Sequence, residues 1–247
     1  GTLQLIRDTT SMPSSTHCAR GISLPALVLF LAGAPSDVFG AVATQPVPPV
    51  LAKGEKVRVE IYKKIAPAVV GLSCKAQMPN GQPGQFYGTG AVISPEGLVL
   101  TNITVIPEGA SEVKVYFTDK KIMPAGIVKI DAPSEGVLIK VTGAANLPYM
   151  KLADSSKYEV GDPVYSWGNP HLTIQRDGVV SLSTGTLSGI YSVGSVDNQS
   201  RYVGPVLETD AAVNPGSDGG PITDSEGNLL GIMSLAFSQT RWLGLAI

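Results

Sequence analysis

The sequence predicts an all-β protein built from short strands. Three observations carry that prediction. Short apolar or alternating runs recur from Ala68 to the last residue, each closed by Gly, Pro, Asn or Asp. Glycine and proline supply 28 and 19 of the 247 residues while aromatic side chains make up only 6%, the balance that many tight turns produce. No unit repeats at a period of about 20–50 residues and no heptad is present, which excludes solenoids and coiled coils. Short strands at regular spacing imply a sandwich or a pair of barrels.

Residues 1–43 read as a leader. Arg7 and Arg20 precede the apolar run Ile22–Ala32, and a small-residue stretch ends at Ala41-Val42-Ala43. Basic, apolar, then A-x-A is the order of a secretory signal. The run is shorter than the about 20 residues that cross a bilayer, and Pro25 interrupts it. An uncleaved anchor or a disordered leader is the alternative. The mature chain is therefore expected to be exported, periplasmic or secreted, with no membrane span. Residues 44–56 read as a Pro-rich extended linker. A short helix is expected next, because Val57, Ile61 and Ile65 share one face before Pro67 ends the pattern.

A first strand set is predicted within 57–145, at Ala68–Cys74, Gly88–Ser94, Leu98–Thr101, Val113–Phe117, Ala125–Ile130 and Gly136–Val141. A second is predicted within 146–247, at Val164–Trp167, Val179–Leu182, Gly185–Tyr191, Val203–Glu208, Ile222–Thr223, Leu229–Leu235 and Trp242–Ile247. Ser188–Arg201, polar and Gly-containing, reads as a surface loop. The formal charge is −2 and no Lys/Arg run occurs, so nothing points to nucleic acid or an anionic membrane surface as partner. Cys18 falls in the leader, which leaves Cys74 as a lone thiol in a core strand.

The chemistry centres on Thr209-Asp210-Ala211-Ala212-Val213-Asn214-Pro215-Gly216-Ser217-Asp218-Gly219-Gly220-Pro221. It reads as a strand end, a tight loop and a strand restart, with glycines that let backbone N–H groups converge on one point. This stretch resembles the nucleophile loop of the chymotrypsin-fold serine proteases, and its upstream part resembles the HtrA (Deg) branch. Gly88–Ile106, "GTGAVISPEGLVLTNITVI", is similar to the segment in which that branch carries its catalytic histidine, and Asp131–Val141, "DAPSEGVLIKV", to the segment with its aspartate. The resemblance runs from Val57 to Ile247. It implies a chymotrypsin-like double six-stranded β-barrel, 57–145 and 146–247, with a short N-terminal helix.

On those motifs the histidine position holds Thr104, the aspartate position Glu135 and the serine position Asp218. Threonine has no nitrogen that titrates near neutral pH, and a carboxylate opposes the oxyanion such a loop is shaped to receive. The oxyanion-hole positions fall on Gly216 and Asp218. His17 lies in the leader and His171 in a loop, so neither is expected to substitute. The resemblance thus implies a pseudoprotease that binds peptides or unfolded segments, through Ala211, Ala212, Val213, Met233, Ser234 and Leu235, with the first three suiting a modest apolar side chain. A homo-trimer, formed near Tyr62, or an active protease paralogue is the implied partner. No cofactor and no metal is expected, although Glu135 and Asp218 could face one pocket and bind a cation. An active HtrA-type endopeptidase and a structural or regulatory subunit are the alternatives. Asn102-Ile103-Thr104 and Asn198-Gln199-Ser200 match the glycosylation pattern, the first in a strand end expected to be buried.

Overall fold

A computed structural model describes residues 49–78, 80–194, 202–234 and 244–246. The stretch read as a leader, 1–43, lies outside the described residues, as do Cys18, Leu235, Trp242 and the Asn198 sequon. The first described element is helix α1, Pro49–Ile65. Part of the stretch read as linker, 49–56, is therefore helical. Proline is tolerated at the first helical position, where its missing N–H would have no partner and its φ is already set. The predicted face holds: Ile61 and Ile65 are buried and Val57 is half-buried.

Six strands follow: β1 Val69–Gln77, β2 Pro83–Val92, β3 Leu98–Asn102, β4 Ser111–Tyr116, β5 Ile122–Asp131 and β6 Gly136–Val141. They form a closed antiparallel barrel in the order β1-β2-β3-β6-β5-β4, β4 returning to pair with β1. Strand alternation fills it. In β6, Val137, Ile139 and Val141 point inward and are buried, while their neighbours are partly exposed.

The second half comprises β7 Pro163–Gly168, helix α2 Thr173–Asp177, β8 Ser181–Val193, β9 Gly204–Thr209, β10 Pro221–Thr223, β11 Leu229–Ile232 and β12 Gly244–Ala246. Its strands make a six-stranded sheet ordered β11-β10-β7-β8-β9-β12. A single bridge, Met233 to Ala246, links the two ends. The first barrel is thus closed by full ladders and the second by one contact, and the chymotrypsin-like arrangement holds. Two runs predicted separately merge into β8, because its first part pairs with β7 and its remainder with β9, through a register shift between Leu187 and Gly189. Strand therefore replaces the predicted loop as far as Val193.

Helix α1 is fastened to the second sheet. The Tyr62 ring stacks on Trp167 at 6.0 Å between centroids, and its hydroxyl donates to Val180 O at 2.9 Å. Tyr62 is thus bonded within the chain while remaining half-buried. Trp167 is fully buried and its indole N–H donates to Thr223 Oγ1 at 2.9 Å. Cys74 is a free, buried thiol whose pKa burial pushes up to about 11. Among the described residues no helix is long and apolar enough to cross a membrane.

Candidate functional site

The loop between β9 and β10 rests on the first barrel. Tight turns shape it: Ser217 N–H donates to Asn214 O and Gly220 N–H to Ser217 O, both at 2.9 Å. Gly219 has φ +74°, and a Cβ there would sit 2.4 Å from Thr89 O and 2.2 Å from Thr101 Oγ1. Only glycine allows the backbone so close in that conformation. Thr89 of β2 then binds the loop twice, its N–H to Asp218 O at 2.8 Å and its hydroxyl to Gly216 O at 2.6 Å. From the other side, Gly219 N–H donates to Met233 O at 2.9 Å.

The Asp218 side chain reaches across to the end of β3. Asn102 Nδ2 donates to Asp218 Oδ1 at 2.7 Å and to Met233 O at 2.8 Å. The Thr104 hydroxyl is shared between Asp218 Oδ2 and Asn102 Oδ1, the latter at 2.7 Å. Asn102 Oδ1 also receives the Val105 N–H at 3.2 Å. Asn102 is wholly buried, so every group of its amide is matched inside the protein. Its sequon is accordingly sealed from modification. The structure brings Thr104 and Asp218 into direct contact.

Glu135 is buried and adopts φ +54°, and its carbonyl receives the Ile103 N–H at 2.9 Å, beside the Thr104 segment. The Gly216 carbonyl also accepts the Asn169 N–H at 3.2 Å. Ala211 is fully buried, Val213 packs on the second core cluster, and Met233 lies inside that cluster. Ser234 is buried too. Ala212 alone of these lines a cavity, one of about 270 Å³ beneath the loop. His171 is exposed in the turn after β7. Among the described residues no group of three or more His, Cys, Asp or Glu is placed to hold a metal ion.

Residues 88–232 match the family model described as trypsin-like peptidase domain. The chain belongs to that family. Its HtrA-type character follows from its relatives. A putative serine protease HhoB from Synechocystis sp. is 33% identical over 170 residues, 68% of this chain and 39% of the relative. A probable periplasmic serine endoprotease DegP-like from Pseudomonas putida is 36% identical over 167 residues, 66% of this chain and 32% of the relative. A solved HtrA-type protease, AlgW, described with a decapeptide, aligns with TM-score 0.65 and 27% identity over 76% of this chain and 62% of that one. The matched part of this chain spans only about a third of the length of the curated relatives.

Two features of this HtrA-type site escape sequence reading. The first is Asn102, quoted within a motif yet given no role. A carboxylate at position 218 needs donors, and Asn102 stands two residues before Thr104, which is the signal that points to it. The second is the cavity. The sequence suggests that Ala211, Ala212 and Val213 suit a modest apolar side chain; beside Ala212, Pro170 and Leu182 the cavity wall also carries Ser166, Ser181, Ser183, Asn214 and Ser217. Four of these come from β7, β8 and the loop's own far end, which local sequence does not bring together.

Proposed function

We propose that this chain is a catalytically inactive HtrA-type homologue that captures peptides or unfolded segments without cutting them. The observation that carries the reading is the Asp218 carboxylate, held by Asn102 and Thr104 where the family's loop has its serine. Acyl transfer requires a hydroxyl activated by an imidazole, a carboxylate to orient that imidazole, and N–H groups facing the oxyanion. With Thr104 at the histidine position there is no general base, and Glu135 has nothing to orient. Asp218 is a poor acyl acceptor, and a carboxylate at the nucleophile position opposes the oxyanion that the Gly216 and Asp218 N–H groups would receive. Capture fits a framework whose strands are otherwise intact, since trypsin-like folds hold peptides as an added strand. Here that strand would lie along Ala211–Val213 and Met233–Leu235. The decapeptide described with the AlgW structure supports the same idea.

Export is part of the proposal: the leader 1–43 precedes the barrels 57–145 and 146–247, and one relative is named periplasmic. A homo-trimer or a complex with an active paralogue is the working assembly. The relatives are named as proteases, which favours an active endopeptidase as the second reading. Casein cleavage and labelling by a fluorophosphonate probe decide between them. The expected result is neither, with gain of labelling only when Thr104→His, Glu135→Asp and Asp218→Ser are combined. Turnover abolished by Asp218→Ala overturns the inactive reading.

A further inference from the structure

The cavity under the loop is chemically unusual for its lack of charge. Ser166, Ser181, Ser183, Asn214 and Ser217 line it beside the apolar Ala212, Pro170 and Leu182, and no Asp, Glu, Lys, Arg or His contributes. Internal bonds fix what these groups offer. Ser183 Oγ accepts the Ala212 N–H at 2.9 Å, which leaves its own proton for the cavity. Ser166 Oγ gives its proton to Met233 Sδ at 3.2 Å, which leaves lone pairs only. Ser217 is 6% exposed. It crowds β7 so closely that a Cβ on Gly168 would meet its oxygen at 2.2 Å. Its hydroxyl has no protein partner among the described residues. Ser217 and Asp218 therefore serve different surfaces: one lines the cavity, the other reaches the first barrel.

We infer that this cavity receives a neutral polar side chain of a captured peptide, the carboxamide of Gln or Asn above all; the inference rests on the capture reading. A carboxamide carries two N–H donors and a carbonyl acceptor, which matches O–H donors from Ser183 and Ser217 beside an acceptor at Ser166. An ammonium or carboxylate would surrender its hydration with no opposite charge to meet it. An aliphatic side chain would displace water and leave buried hydroxyls without partners, the asymmetry by which polar sites reject apolar analogues.

The test titrates the whole chain with blocked pentapeptides Ac-Ala-Ala-X-Ala-Ala-amide, with X as Gln, Leu, Lys or Glu, followed by calorimetry and by amide shifts of the ¹⁵N-labelled protein. The Gln peptide is expected to bind about tenfold more tightly than the Leu peptide, to shift Ala212, Ser183 and Ser217, and to exceed Lys and Glu. Ser183→Ala and Ser217→Ala should each erase that preference, bringing the Gln-to-Leu affinity ratio to about one. Asn214→Ala, at an exposed position, supplies a variant whose folding is not at risk and should lower the Gln-to-Leu affinity ratio. Equal binding of all four peptides, or a Gln preference that survives these variants, overturns the inference while capture stands. If no peptide binds but N-acetylglutamine methylamide shifts the same amides, capture falls and the cavity assignment stands. Silence to both probes removes both.

Discussion

Asp218 and Asp224 lie six residues apart, and their carboxylates are held in opposite ways. Asp224, buried in the turn between β10 and β11, is bonded almost entirely by its own neighbourhood. It accepts the Glu226 and Asn228 N–H groups and Asn228 Nδ2, all at 2.8 Å, with the Tyr158 hydroxyl added at 2.7 Å. Asp218 takes its side-chain donors from Asn102 and Thr104 of the first barrel. One aspartate locks a turn and the other ties two halves together. An Asx turn is written in adjacent residues, whereas a cross-barrel tie exists only once the whole fold has formed.

Asn102→Ala should break the tie most. It strips donors from Asp218 and from Met233 O and removes the side-chain acceptor shared by the Thr104 hydroxyl and the Val105 N–H, all in a buried setting. A loss of about 3 kcal/mol is expected from several unsatisfied groups, read by chemical denaturation. A loss under about 1 kcal/mol would mean that the cluster is incidental to stability. Asp224→Ala should come next, at about 2 kcal/mol near neutral pH. Burial pushes the Asp224 carboxyl up, but hydrogen bonds from Tyr158, Asn228 and the turn amides outweigh it and hold the group below its ordinary range. A depressed folded pKa means that its contribution is complete above the unfolded value of about 3.9 and is lost as pH falls through the lower folded value. The gap between wild type and Asp224→Asn in thermal unfolding should therefore shrink only below about pH 4; a gap already closing at pH 6 would contradict the turn lock. The smallest effect belongs to a double-mutant cycle. Thr104→Val and Asp218→Asn should couple by about 1 kcal/mol because the side chains touch, whereas Thr104→Val and Asp224→Asn should be additive.

The same contrast explains what could be read from the sequence. Gly136–Val141 was legible to the residue because alternation is local, and β6 has those bounds. The turn at Asp224 is local too, since Asp, Gly and Asn between two short strand runs are adjacent in the chain. The start of α1 was not, since Pro48 and Pro49 resemble a linker until a helix uses Pro49 as its first residue. The continuity of β8 depends on two different partners, β7 and β9, and no local pattern names them. At the site, motif similarity pointed to Thr104, Glu135 and Asp218, of which the structure brings Thr104 and Asp218 into contact. What Asp218 bonds to, and the hydroxyl lining next to Ala212, depend on side chains that meet only after both halves fold.

The stacking of Tyr62 on Trp167 also equips the molecule with a built-in optical gauge. An indole sealed from water by a helix emits toward the blue, and lifting that helix admits solvent and shifts the emission red. Tyr62→Ala in a Trp242→Phe background would show whether α1 detaches on its own, before either barrel melts.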